Sequence, residues 1–182
     1  MKNIFYFETE RLILRDFQNT DADDLFEIDS NTKVHKYLGN NPVKHIDQIR
    51  EVINSVQMQY QQNGIGRWAI IEKSSGMFIG WSGLKFVTEA ENLDVPYYDV
   101  GYRLHPDSWG KGYATESGRA ALKFGFEVLG LTEVFGTCHE ENIASRKSLE
   151  KCGLRFVDKF LYKNEIVCDR LKITKEEWEA LK

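Results

Sequence analysis

Cysteine is scarce in this chain. Cys138, Cys152 and Cys168 are the three present in 182 residues, they lie far apart, and no C-x-x-C pair occurs. An odd, scattered set supports neither a disulfide framework nor a zinc site. It reads as reduced thiols in a cytoplasmic protein. Long apolar runs are missing as well. No stretch approaches the roughly 18 apolar residues of a membrane span, and Met1 to Phe7 holds too short an apolar run for a signal peptide. An excess of positive charge is also absent. Lys and Arg number 24 against 28 Asp and Glu, a formal net charge of −4. That argues against a nucleic-acid partner and is compatible with a cationic one. His35, His45, His105 and His139 show no H-E-x-x-H spacing, so no metal site is predicted and all four read as structural or surface residues.

What is present describes an ordinary globular protein, 42% hydrophobic and 29% charged. The length allows a real core without staples. No repeat, low-complexity segment or linker divides it, so one domain over residues 1–182 is expected. Thr9 to Phe17 alternates as a first strand. Thr20, with Asp23 three residues on, predicts a capped helix carrying Ala22, Leu25, Phe26 and Ile28 on its apolar side. Ile46 to Gln62 repeats apolar residues at helical spacing and stops at Gly64. Strands follow over Arg67 to Lys73, Met77 to Phe86 and Tyr97 to Leu104, the first two joined by a Ser-Ser-Gly turn. A loop from His105 to Gly110 leads into a helix from Gly112 to Leu129. Then come a strand, Glu133 to His139, and a helix, Asn142 to Cys152. Strands Leu154 to Tyr162 and Ile166 to Ile173 flank Lys163-Asn164-Glu165. Thr174 and Glu177 form a capping box for a short last helix with Trp178. A hairpin region combined with β-α-β units predicts an α+β fold with a mixed sheet.

The stretch YYDVGYRLHPDSWGKGYATE, residues 97–116, carries the most chemistry. A strand ends near Leu104, and Gly110 and Gly112 immediately precede a helix. A helix start offers unpaired N–H groups and partial positive charge. Glycines let that backbone approach an anion closely. The pair describes a pyrophosphate cradle, to which Lys111 could add charge. Other phosphate motifs fit less well. No G-x-x-x-x-G-K-[ST] occurs, and a dinucleotide fingerprint would need a third glycine where Thr115 stands. By itself the loop also fits a glycine-rich turn that merely starts a helix.

Three segments in order settle on a family. TERLILR near the start, DVGYRLHPDSWGKGYATES in the middle and ENIASRKSLEKCGLRF later resemble the GNAT acetyltransferases, specifically the ribosomal-protein N-terminal acetyltransferases of RimJ/RimL type. The GNAT pattern Q/R-x-x-G-x-G/A falls on Trp109, Gly112 and Ala114, and Trp109 departs from its first position in the manner of that type. The resemblance implies a mixed, mostly antiparallel sheet flanked by helices, with a bulged strand splayed from its parallel neighbour to form the acetyl-CoA cleft. Residues implied to bind acetyl-CoA are Gly101, Tyr102, Arg103 and Leu104 on that strand, Trp109, Gly110, Lys111, Gly112, Tyr113, Ala114 and Thr115 on the loop and helix, and Asn142 and Ser145. Gly101 independently fits a bulge or a close approach. Acetyl-CoA is then the cosubstrate and no metal is needed. The partner is an amine acceptor, either a peptide N-terminus or a small amine, and the protein is a monomer or homodimer.

Acetyl transfer to an amine requires a neutral amine, a stabilised departing thiolate, and help for the charge that develops on the thioester oxygen. Many family members place a tyrosine seven residues after the asparagine as proton donor, where this sequence has Leu149. In the RimJ/RimL type a serine three residues after it resembles the substitute, and Ser145 matches. Asn142 alone reads as a helix N-cap. For the base, Asp99 stands where relatives often carry Glu. Glu72, Glu140 and Glu141 are other acidic candidates, and a chain of water is an alternative. Trp81 and Tyr37 read as core or as acceptor-pocket walls. The missing tyrosine also leaves open a non-catalytic acyl-CoA-binding module, and Thr115 and the strand order disfavour a nucleotide-binding oxidoreductase.

Overall fold

The computed structural model describes residues 6–88, 96–163 and 165–181, so Asn164 of the expected turn lies outside the described residues. Its strands are β1 Tyr6–Glu8, β2 Leu12–Arg15, β3 Arg67–Glu72, β4 Phe78–Val87, β5 Tyr97–Leu104, β6 Glu133–His139, β7 Arg155–Tyr162 and β8 Ile166–Thr174. Its helices are α1 Ala22–Asp29, α2 Thr32–His35, α3 Ile46–Asn63, α4 Tyr113–Glu127, α5 Ile143–Lys151 and α6 Lys175–Glu179. The strands form one sheet in the order β1-β2-β3-β4-β5-β6-β8-β7. Every neighbouring pair is antiparallel except β5 and β6, which run parallel. The expected mixed, mostly antiparallel α+β sheet is what the chain forms.

Strand alternation sends side chains to two separate cores. From β3, Trp68 and Ile70 join Leu12, Leu14, Leu84, Val100, Ala121, Phe126, Leu149 and Leu171 beneath α4 and α5. Ala69 joins Phe17, Leu25, Ile49, Ile53 and Val56 beneath α1 and α3 on the other face. The α1–α3 core covers β3 and β4 on one face, and the α4–α5 core covers the other face. Among the described residues no helix is long and apolar enough to cross a membrane.

Two local expectations change. The single first strand divides into β1 and β2, because Thr9 draws the chain into a turn. Its N–H donates to the Leu12 carbonyl at 2.9 Å, and the Leu12 N–H donates to its hydroxyl at 3.0 Å. Side-chain bonds of this kind compete with the ladder. The Thr20–Asp23 cap is not made either. Asp21 instead accepts the Gln18 N–H at 2.8 Å, while both its oxygens take Arg15 at 2.8 and 2.7 Å. A bidentate arginine is the stronger partner and pulls the start of the helix down onto β2. The Thr174–Glu177 capping box forms as expected.

Candidate active site

The cleft opens between β5 and β6. These strands share one registered pair, Asp99↔Phe135, whereas β4 and β5 share eight and β6 and β8 seven. Beyond that pair, the facing edges of residues 100–104 and 136–139 have no ladder between them. Unpaired strand edges are standing hydrogen-bond partners for whatever enters. The expected bulge in β5 is absent. Its register with β4 runs unbroken from Val87↔Tyr97 to Gly80↔Leu104. Gly101 marks a close approach instead: a Cβ there would lie 2.9 Å from the Arg67 guanidinium.

At the end of β5, Trp109 turns its indole N–H back to the Leu104 carbonyl at 2.9 Å, which orients the loop. Gly110 and Gly112 then adopt φ of 74° and 85°, the left-handed region that only glycine enters freely. Gly112 is the N-cap of α4 and no side chain caps it. The first N–H groups of a 15-residue helix thus sit beside an open glycine backbone, with nothing within 4 Å of a Cβ at Gly110. This is the geometry of an anion cradle. It is tied down from outside. Glu116, in the first turns of α4, accepts Thr9 Oγ1 at 2.6 Å, Arg11 N at 2.9 Å and Arg11 Nε at 2.7 Å. Burial opposes its charge, yet these bonds outweigh it and hold its carboxyl below the ordinary value. Tyr113 donates to Glu72, whose carboxyl is held low by Ser75 first and Tyr113 second.

On the α5 side, Asn142 caps the helix by accepting the Ser145 N–H at 3.1 Å. The Tyr102 hydroxyl donates to the Ser145 carbonyl at 2.8 Å and lies 3.3 Å from Ser145 Oγ. Burial raises the Tyr102 pKa, so this hydroxyl keeps its proton at neutral pH. Leu149 is 1% exposed and packs against Gly136 and the core.

Asp99, Gly101 and Arg103 point to the opposite face of β5. The Arg67 guanidinium fills the space over Gly101, donates to the Gly83 carbonyl and to the Asp99 carbonyl at 2.8 Å, and pairs with the Asp99 carboxylate. Burial pushes the Asp99 carboxyl up, against the pull of Arg67. Asp99 Oδ1 is buried without a hydrogen-bond partner. Arg103 pairs with the buried Asp29 of α1 at 2.8 Å. Trp81 lies between the two guanidinium groups, 5.5 Å from Arg67 and 5.2 Å from Arg103. The Tyr37 ring meets His139 at 5.4 Å, bringing the segment after α2 to the end of β6.

With this geometry in view, comparison with known proteins is decisive. Residues 11–155 match the family model described as an acetyltransferase (GNAT) domain. The chain belongs to the GNAT acetyltransferase family. The N-acetyltransferase YoaA of Bacillus subtilis, itself uncharacterized, is 29% identical over 160 residues, covering 86% of this chain and 88% of that protein. An Aspergillus fumigatus protein named FsC-acetyl coenzyme A-N(2)-transacetylase is 36% identical over 125 residues, covering 63% of this chain and 52% of that one. A crystal structure of a GNAT-family acetyltransferase from Bacillus anthracis superimposes with a TM-score of 0.77 at 26% identity, over 94% of this chain and 99% of the other.

The structure of this GNAT acetyltransferase sorts the sequence candidates. Tyr102 and Leu104 lie on the α4–α5 face of β5, where the Tyr102 hydroxyl bonds Ser145 and Asn142 caps the same helix, while Trp109 to Thr115 form the loop and the start of α4 that follow β5. Asp99, Gly101 and Arg103 lie on the other face of the same strand. Glu72 is the last residue of β3, where it accepts hydrogen bonds from Tyr113 and Ser75. Glu140 pairs with Lys159 at 2.7 Å, and Glu141 is exposed. Among the described residues no group of three or more His, Cys, Asp or Glu is placed to share a metal ion. Sequence reasoning missed Arg67, Asp29 and the Thr9–Arg11–Glu116 brace. The brace residues did lie inside segments quoted for the resemblance. Arg67 carried no local signal.

Proposed function

We propose that this enzyme moves the acetyl group of acetyl-CoA to a primary amine, as an acetyltransferase of RimJ/RimL type, and prefers a peptide N-terminal α-amine to a lysine side chain. The observation that carries the reading is the uncapped start of α4, with its left-handed glycines, a few residues after the end of β5, whose edge toward β6 is unladdered. In this reading Gly110 to Thr115 bind the pyrophosphate through backbone N–H groups, with Lys111 adding charge. The β5 edge from Gly101 to Leu104 takes the pantetheine arm through backbone groups. Asn142 and Ser145 stand at the thiol end, where Ser145 offers a hydrogen bond to sulfur and Tyr102 holds that turn in place. The acceptor enters from the Trp81 side. One strand, β5, then separates the thiol from the amine, and transfer takes place through the gap between β5 and β6.

The acceptor preference follows from proton chemistry. Asp99 and Asp29, on the acceptor face, are both already paired to an arginine. Arg67 holds the Asp99 carboxylate and Arg103 holds that of Asp29, so neither is a free carboxylate, although burial raises the Asp99 carboxyl against the pull of Arg67. An acceptor that is partly neutral without help is therefore favoured. At pH 7 roughly a tenth of an α-amine of pKa about 7.7–8.0 is neutral, against a few parts in ten thousand of a lysine near 10.4. A small-molecule amine is the second reading, favoured by the relative named for N(2)-transacetylation. The test pairs a thiol-release assay over a panel of amines with mass spectrometry of a peptide bearing a free N-terminus and an internal lysine. Acetylation at the N-terminus supports the preference. Modification at lysine alone refutes it, and turnover of a small amine with the peptide untouched transfers the acceptor to the second reading.

A further inference from the structure

The β1–β2 turn has no part in the sheet's cleft, yet it reaches the phosphate loop from about a hundred residues away. Arg11 Nη1 donates to the Lys111 carbonyl at 2.9 Å. Its Nε and Nη2 both hold Glu116 Oε2 at 2.7 Å, and its guanidinium lies 4.5 Å over the Tyr113 ring. The turn itself is anchored: Lys73 donates to the Thr9 carbonyl at 2.6 Å and pairs with Glu8 at 2.6 Å, and the Lys73 N–H donates to the Arg11 carbonyl at 2.9 Å. One planar guanidinium therefore grips a loop carbonyl and a helix carboxylate together.

The consequence lies in the peptide plane. In a trans peptide the C=O and the following N–H point in opposite directions. With the Lys111 carbonyl drawn to Arg11, the Gly112 N–H is turned away from Arg11, toward the open side of the loop. Gly112, whose φ is one of the two torsions that turn this peptide, leaves it free to flip. A flip would present a carbonyl oxygen to an incoming anion. Glu116 adds a second hazard, a carboxylate in the opening turns of the helix whose positive end is to attract phosphate. Arg11 opposes that charge at contact distance.

We infer that Arg11 is a positioning residue for acetyl-CoA: it locks the Lys111–Gly112 peptide with its N–H toward the phosphates and cancels the charge of Glu116. The inference rests on the cradle reading above. The test is calorimetric titration with CoA, alongside kcat at saturating acetyl-CoA and the melting temperature, for Arg11→Gln, Arg11→Lys and Arg11→Gln/Glu116→Gln. Arg11→Gln is expected to weaken CoA binding by about tenfold or more and to leave kcat within about twofold. Lysine keeps the charge but cannot hold both the carbonyl and the carboxylate, so Arg11→Lys is expected to recover less than half of the loss on a logarithmic scale. The double variant is expected to bind better than Arg11→Gln, because the uncompensated carboxylate is gone. A folded Arg11→Gln variant with unaltered affinity overturns the inference, as does full recovery by lysine, which would make charge alone sufficient. Should Arg11→Gln fail to fold, Arg11→Lys decides by the same criterion. If the unaltered protein does not bind CoA, the cradle reading itself falls and the brace falls with it.

Discussion

The two sides of β5 are built by different rules. On the α4–α5 side, the groups proposed to meet the cofactor are backbone N–H groups and small hydroxyls, supplied by contiguous chain from Leu104 to Thr115 and from Asn142 to Ser145. On the α1–α3 side, the proposed acceptor site is made of side chains from distant segments, with Arg67 on β3, Trp81 on β4, Asp99 and Arg103 on β5 and Asp29 on α1. A cofactor carried by every member of a family can be held by backbone, which a few glycines and a helix start specify. An acceptor that differs between members has to be read by side chains. The first side therefore tolerates substitution wherever the backbone is kept, and the second depends on charge pairs that fail when one partner is lost.

Removing one partner on the acceptor side sharpens this contrast most. Arg67→Ala leaves Asp99 buried and uncompensated, and breaking such a pair costs about 3–5 kcal/mol. The loss should depend on pH. Burial already raises the folded pKa of Asp99, and removing Arg67 raises it further. A carboxyl with a raised folded pKa contributes stability that is complete below its unfolded value, near 3.9, and is lost as pH rises through the folded one. Denaturant melts of Arg67→Ala should thus show a small deficit at acid pH and the full deficit at pH 7. A deficit independent of pH would mean that the pair is a packing element only.

On the cofactor side the changes are subtler. Ser145→Ala is expected to lower kcat by about a hundredfold at most, since a serine falls at or below the lower end of general acid–base contributions. Affinity for acetyl-CoA should hold. Unaltered turnover across the pH range would leave Ser145 as a helix residue alone. Leu149→Tyr asks whether the hydroxyl usual at that position can be restored. Leu149 Cδ2 lies 2.9 Å from where a Gly136 Cβ would be, so the larger ring has no room. Overpacking of this kind costs about 1–3 kcal/mol, read as a lowered melting temperature without a gain in kcat. A gain in kcat would show that this enzyme still has the usual proton-donor geometry.

The smallest expected effect concerns Glu116. Its folded pKa is depressed, so its contribution is present above the unfolded value near 4.3 and lost as pH falls through the folded one. The stability deficit of Glu116→Gln should therefore shrink as pH drops below about 4.3. A constant deficit would place the loss in packing.

How much of this could be read in advance follows the same division. β5 and β6 were legible to the residue, because alternation over Tyr97 to Leu104 and Glu133 to His139 is bounded by clear turn signals. The Gly110–Gly112 loop and the Asn142 cap were legible because both are local and rest on residue types with few other uses. The break at Thr9 was not, since a side-chain hydroxyl taking a ladder N–H leaves the apolar pattern undisturbed. Neither was the role of Gly101. A glycine in a strand signals close approach without saying of what, and the answer, Arg67, is 34 positions away. Asp99 was found as a carboxylate, but its pairing was not, because an ion pair between strands leaves no mark on either local sequence.

The most direct test of the account is calorimetry of acetyl-CoA binding to the unaltered enzyme and to Gly112→Glu. At φ 85° a side chain is strained, and a carboxylate placed there opposes an anion at the start of α4. The unaltered enzyme is expected to bind acetyl-CoA, and the folded variant to lose at least about tenfold, about 1.4 kcal/mol, in affinity. Equal affinity in the two proteins would contradict it, because the phosphates would then be held somewhere other than the glycine loop.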